Sequence, residues 1–161
     1  MKKTVLIFLC LFGTAQLFAQ QANFSGIYAI DTARISFEEA PNWVLPVSFH
    51  VKQQGTTITI QRNTVDAQGK ADSYTNELKP GDTVTTAMAG NRMRKTVISW
   101  NADKSGFTLT YITNDGSGQF LNKATEAWSL VDDGKTLFID RYVEQASGLK
   151  YPIKAYYSKT E

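Results

Sequence analysis

The sequence holds few residues that could form a reactive site, and the first to consider is its single histidine. His50 alternates with Phe49 and Val51 in a strand-like run, which places it on the opposite, solvent-facing side. A histidine without an orienting partner is not expected to act as a catalytic base. One histidine and one cysteine, Cys10, cannot form a His/Cys zinc site. We therefore predict no metal site, no cofactor and no enzymatic activity.

The acidic pairs of the sequence are typical of turns. Asp132-Asp133 precedes a glycine between two strand-like runs, where this residue order favours a tight hairpin. Glu38-Glu39 lies shortly before a proline, and neither pair is matched with a second carboxylate at the spacing of glycoside hydrolysis. We interpret both pairs as structural.

Aromatic residues are more informative, because Trp, Tyr and Phe together make up 12% of the chain. In a small barrel they would either fill the interior or surround one small ligand, and both alternatives stay open at this point. For the second alternative we predict an apolar cavity that is capped by Trp43. Its predicted walls are Phe49, Ile60, Trp100, Tyr111, Trp128 and Phe138.

Arg94 is the candidate polar contact for a ligand. It shares strand parity with Ile98 and Trp100, and a buried arginine needs an anionic partner. A ligand carboxylate or similar head group is one such partner. Glu126, on the parity of Trp128, is the competing and purely structural one.

The elements that would position these residues are short strands separated by turn signals. Apolar and polar residues alternate over 23–30, 47–52, 57–61, 92–100, 107–113, 125–131, 136–144 and 150–157, with weaker strands at 73–78 and 83–88. Consecutive hairpins without a long crossover predict an all-β, antiparallel up-and-down meander barrel of about eight to ten strands. Residues 31–46 break the pattern with two prolines, and we predict that they form an N-terminal lid over the open end.

Two stretches resemble a known group of proteins. Phe24-Ser25-Gly26-Ile27-Tyr28, followed by Asp31, is similar to the opening of secreted bacterial lipocalin-like barrel proteins. Glu126, Trp128 and Leu130, followed by residues 132–137, look like the late hairpin of that group. The resemblance implies a calycin-type barrel and a bias towards binding small ligands.

The amino terminus has the features of an export signal. Lys2 and Lys3 precede an apolar run over residues 5–12 that is too short to span a bilayer, and Ala19 suits a cleavage site. We predict a signal peptide over residues 1–19 and a single lipocalin-like barrel domain over 20–161. The product would be exported, and either periplasmic or secreted, with no transmembrane segment after signal removal.

Charge and composition limit the function further. Of 17 basic residues two lie in the predicted signal, which leaves them balanced by the 15 acidic ones and argues against a nucleic-acid partner. We predict a non-enzymatic barrel that binds a small apolar or amphiphilic ligand. The alternative is a protein-interaction or inhibitor module that uses the 31–46 segment and the 114–122 loop on a filled barrel; the sequence identifies no protein partner.

Overall fold

The structure, a computed structural model, describes residues 21–37 and 44–160. This part of the chain forms one 3-10 helix (Thr32–Arg34) and ten strands. The strands are β1 (Gly26–Ile30), β2 (Ser48–Gln54), β3 (Thr57–Val65), β4 (Ala71–Leu78), β5 (Thr83–Met88), β6 (Arg92–Trp100), β7 (Gly106–Asn114), β8 (Phe120–Val131), β9 (Thr136–Gln145) and β10 (Lys150–Lys159).

The strands form one antiparallel sheet that curls into a nearly closed barrel. Its order is β4-β3-β2-β1-β10-β9-β8-β7-β6-β5, so every strand pairs with its sequence neighbour except β4 and β5, while β1 also pairs with β10. The predicted all-β, antiparallel up-and-down meander barrel of about eight to ten strands is confirmed. Between β4 and β5 lies a seam without strand pairing, which the side chain of Asn76 crosses to donate a hydrogen bond to Thr86 Oγ1 at 2.9 Å.

Tight turns join the strands at the places where the sequence predicts them. In the β8–β9 turn Asp132 and Asp133 take φ values of 52° and 55°, and Gly134 follows at 81°. Asp and Gly tolerate this left-handed backbone better than other residues do. The acidic pair is therefore structural, as predicted.

One half of the barrel interior is filled by aromatic and aliphatic side chains. Trp128 and Phe107 stack with ring centroids 5.2 Å apart, and Phe24 meets the Phe107 ring edge-on at 4.7 Å. The segment before β1 covers this end of the barrel, because the Ala22 amide donates to Lys104 O at 3.0 Å and Phe24 is fully buried. We call this half the closed half.

The described residues between β1 and β2 pack against β10 and the core. Ser36 forms an isolated bridge with Lys154 on β10, and Leu45 is buried in the core. The hydroxyl of Tyr157 donates to Pro46 O at 3.0 Å, which fixes the chain just before β2. The predicted cap residue Trp43 and the predicted signal peptide lie outside the described residues. No helix in the described part of the chain is long and apolar enough to cross a membrane.

Candidate binding cavity

A cavity of about 660 Å³ occupies the half of the barrel opposite the closed half. That volume falls within the usual range for small-molecule sites. Strand parity explains the lining, since alternate residues of each strand face inward. The apolar part of the wall includes Val44, Pro46, Val65, Met88, Ala124 and Val143.

The floor of the cavity is a buried carboxylate that accepts two hydrogen bonds and forms two ion pairs. Glu126 is 4% exposed and lies directly above Trp128, whose indole nitrogen donates to Glu126 Oε2 at 3.0 Å. The hydroxyl of Tyr111 donates to the same oxygen at 2.8 Å. Arg62 Nη2 lies 3.8 Å from Oε2, and Arg141 Nη1 lies 3.5 Å from Oε1. The floor therefore separates the apolar closed half from the cavity above it.

Two guanidinium nitrogens at this floor lack partners. Arg62 is 2% exposed and donates through Nη2 to the hydroxyl of Tyr111, while its Nη1 has no hydrogen-bond partner among the described residues. Arg141 donates through Nη1 to Val44 O at 3.2 Å, but its buried Nε is equally unpartnered within the described ranges. Buried donors are normally satisfied, so these two atoms mark a place where an acceptor would be favourable.

Arg94 lies nearer the cavity mouth and has only neutral partners. Its Nε donates to Thr113 Oγ1 and its Nη1 to the Tyr74 hydroxyl, each at 3.3 Å. The guanidinium carbons of Arg62 and Arg94 lie 5.3 Å and 5.5 Å from the centroid of the same Tyr111 ring. The predicted competing pair of Arg94 with Glu126 is not formed, because Glu126 pairs with Arg62 and Arg141 instead.

The electrostatics of the floor fix its protonation states. Burial raises the pKa of Glu126, but attraction to Arg141 and Arg62 and the hydrogen bonds from Tyr111 and Trp128 outweigh burial and hold it below its usual value. Burial lowers the pKa of Arg62, yet nearby phenol oxygens and Glu126 bring it above its usual value. Burial also raises the pKa of Tyr111 well above its ordinary range. At neutral pH the floor thus contains charged Arg62, charged Glu126 and neutral Tyr111.

The structure places two of the eight predicted site residues, Arg94 and Tyr111, in the cavity wall. The large apolar side chains among the predicted site residues belong to the packed interior and not to the wall of this cavity. Phe49, Ile60 and Trp128 are buried in the core, and Trp100 packs against it next to Phe24. The described interior is thus filled by side chains in one half of the barrel and contains a cavity in the other.

Phe138, also among the predicted site residues, lies on the outer face of the barrel. Its neighbours Leu137 and Ile139 are buried, while the Phe138 ring contacts Tyr156 on β10 with centroids 4.8 Å apart. His50 is exposed on the outer face, as its parity predicts. Within the described ranges no group of three or more His, Cys, Asp or Glu side chains is placed to hold a metal ion.

The two arginines of the floor, Arg62 and Arg141, are not among the residues predicted from the sequence to form the site. Arg62 follows Ile58 and Ile60 at even spacing, and this alternation was the signal for an inward position. Arg141 follows Leu137 and Ile139 in the same way on β9. Neither residue is singled out by the sequence analysis above, because an arginine on an apolar face is rare without a partner on the neighbouring strands.

No protein-family model and no curated protein sequence matches the chain. Solved structures do match. The zebrafish ileal bile acid-binding protein complexed with cholic acid has 14% sequence identity and a TM-score of 0.55, over 86% of this chain and 100% of that one. The Schistosoma mansoni fatty acid binding protein in complex with arachidonic acid also has 14% identity and a TM-score of 0.55, over 86% and 96% of the two chains. At this identity the likeness shows a shared fold.

Proposed function

We propose that this protein binds a small amphiphilic molecule in the open half of its barrel, without a catalytic step. The observation that carries the proposal is the cavity of about 660 Å³ whose lining combines three arginines with apolar side chains, two of the arginines having a buried nitrogen without a partner among the described residues. A ligand with a polar end and a hydrocarbon part would satisfy both surfaces. The named ligands of the two structural neighbours, cholic acid and arachidonic acid, are amphiphiles of this kind.

Native mass spectrometry tests the proposal. The protein is purified from the cells that produce it, and its native and denatured masses are compared. We expect a reproducible extra mass that is released on denaturation and that gives the ligand class. A bare mass, together with no uptake of added amphiphiles, would contradict ligand binding.

A matched pair of variants shows whether binding uses the cavity. Ala124 faces inward and lines the cavity, whereas Ala127 on the same strand is exposed on the outer face. Ala124→Phe should fill part of the cavity and weaken binding, while Ala127→Phe should leave it unchanged. Circular dichroism checks that both variants keep the fold.

We further propose that the protein is exported after removal of residues 1–19. The positive residues, the apolar run and Ala19 support this proposal. Amino-terminal sequencing of the protein from its own cells tests it. A mature terminus at residue 20 or 21 in the exported fraction is expected, and an intact Met1 in the cytoplasm would contradict it.

A second candidate function is docking of another protein through the loops beside the cavity mouth. Phe120, within the predicted 114–122 loop, and Leu149 are each 42% exposed, which is unusual for large apolar side chains. A photocrosslinking residue placed at position 120 in the producing cells should then give one discrete adduct. A smear or no adduct would argue against docking.

A further inference from the structure

The interior of the cavity carries more positive than negative charge. Three arginines, Arg62, Arg94 and Arg141, face one carboxylate, Glu126, which leaves a formal excess of two positive charges among the described residues inside the barrel. At the mouth, the two basic residues Lys70 and Arg92 are equal in number to the two acidic residues Asp66 and Asp72, so the mouth adds no net charge. Burying unbalanced charge is costly, so the interior favours an anion that brings two charges.

The hydrogen-bond donors inside the barrel are numerous enough to suit a ligand head group with more than two acceptor oxygens. Arg62 Nη1 and Arg141 Nε are unpartnered in the described part of the chain, and Arg94 bonds only to the neutral hydroxyls of Thr113 and Tyr74. Three guanidinium groups on three different strands approach one space from different sides. A carboxylate presents two oxygens and one charge, whereas a phosphate monoester presents three oxygens and about −1.5 to −2 charges at neutral pH.

A ligand carboxylate bound deep in the cavity would lie between Arg62 and Arg141, and the carboxylate of Glu126 already occupies that position. Glu126 lies between Arg62 and Arg141 and contacts both, at 3.8 Å and 3.5 Å. Its negative charge repels an incoming anion from the space below the arginines. An anion must therefore bind on the cavity side, where Arg94 supplies the charge that no described carboxylate neutralises.

From this geometry we propose that the polar end of the ligand is a doubly charged tetrahedral oxyanion, of the phosphate monoester type, bound by Arg94 together with the guanidinium groups of Arg62 and Arg141 that line the same cavity. The inference rests on the proposed function and names the head group of the same site. Glu126 is the specificity-determining residue, because its carboxylate occupies two of the guanidinium groups and leaves the interior suited to a dianion.

Isothermal titration calorimetry with four probes tests the inference. Octyl phosphate, octanoate and octanol share one hydrocarbon chain and differ in head group, and inorganic phosphate has the head group without the chain. We expect octyl phosphate to bind roughly tenfold or more tightly than octanoate, since charge-assisted hydrogen bonds are the strongest contacts available here. Octanol should bind more weakly than either.

Two neighbouring residues of β6 provide the variant and its control. Arg94 faces the cavity, and Lys95 is exposed on the outer face. Arg94→Gln should weaken octyl phosphate binding roughly tenfold or more, because it removes a charge-assisted contact. Lys95→Gln removes the same charge from the outside and should change the affinity by less than about twofold. Arg94 is only partly buried, so its replacement should leave the fold intact, and a thermal melt verifies this.

The outcomes separate this inference from the proposed function. If octanoate bound as tightly as octyl phosphate, or if Arg94→Gln kept the native affinity, the inference of a dianionic head group would be overturned. The proposed binding of an amphiphile would then still stand. No binding of any octyl probe would overturn the proposed function. Inorganic phosphate binding as tightly as octyl phosphate would support the anion site but contradict a role for the hydrocarbon chain.

Discussion

At the scale of single residues, the interior depends on Glu126. Its carboxylate accepts hydrogen bonds from Tyr111 and Trp128 and forms ion pairs with Arg62 and Arg141. One anion therefore interacts with four other side chains. Without it, Arg62 would be a buried cation with no carboxylate among the described residues. Such a group is strongly destabilising.

Glu126→Gln should therefore lower the free energy of unfolding by about 3 kcal/mol, the lower part of the range for breaking a buried ion pair, because glutamine still accepts hydrogen bonds. Urea denaturation followed by tryptophan fluorescence measures the change. Glu77→Gln is the control, since Glu77 forms an exposed pair with Lys79 and should cost less than about 1 kcal/mol. Equal stability of both variants would show that the ion pairs of Glu126 with the arginines of the floor make no net contribution to stability.

The same carboxylate predicts how stability depends on acid. The pKa of Glu126 is lower in the folded protein than its ordinary value of 4.5, so its contribution is fully present above that value and is lost as the pH falls through the lower folded pKa. We expect a loss of stability below about pH 4.5 that is smaller in Glu126→Gln than in the native protein. Denaturation midpoints at several pH values between 3 and 7, compared between the two proteins, provide the measurement. Parallel curves would contradict the prediction.

At the scale of elements, the bounds of a strand can be predicted from the sequence where apolar and polar residues alternate regularly. β6 was predicted with its observed bounds, Arg92–Trp100, because alternation is regular and turns flank it on both sides. β3 was predicted to end at residue 61 but extends to Val65, since the ladder with β4 recruits polar residues that read as a loop. Because the predicted strand ended at residue 61, Arg62 was not recognised as an inward-facing residue, and one of the two arginines of the cavity floor was overlooked.

Parity within a strand fails where apolar residues are consecutive. Leu137, Phe138 and Ile139 offer two equally apolar faces, and only pairing with β8 selects between them. Ile139 lies opposite Trp128, so Phe138 must face outward. Register across strands is a non-local property, which explains why the fold could be predicted and the wall of the cavity could not.

The close approach of β7 to β8 gives a prediction at this scale. A Cβ added to Gly106 would lie 2.5 Å from the carbonyl oxygen of Trp128, a backbone atom that cannot rotate away. Gly106→Ala should therefore cost about 1–3 kcal/mol as the strands are pushed apart. Thermal unfolding measures it, with the exposed Ser99→Ala on β6 as a control expected within about 0.5 kcal/mol of the native protein. A stable Gly106→Ala would mean that β7 can shift without cost.

At the scale of the whole molecule, the barrel consists of two unlike halves. The closed half is packed with aromatic rings, among them Trp128, Phe107 and Phe24, and should carry most of the hydrophobic stabilisation. The open half contains the cavity and the charged floor. Both halves share the same strands, so the strands that form the cavity wall are anchored in the packed half.

The seam between β4 and β5 should be visible in hydrogen exchange. Backbone amides of these strands that point into the seam have no partner strand, whereas β8 is paired on both sides with β7 and β9. We expect the seam amides to exchange at least about tenfold faster than those of β8, because fewer hydrogen bonds must open. Exchange followed by NMR or mass spectrometry measures this. Equal protection along all ten strands would contradict the seam.

The seam also affects what the barrel can accommodate. In a fully paired barrel, widening the circumference would require breaking a ladder of backbone hydrogen bonds. Here the described residues span the seam by side-chain contacts, from Asn76 to Thr86 and from Arg94 to Tyr74, so the perimeter can expand at one line while every strand pair stays intact. Because Arg62 on β3 and Arg94 on β6 lie on opposite sides of this line, the distance between their guanidinium groups would change with the girth of the barrel.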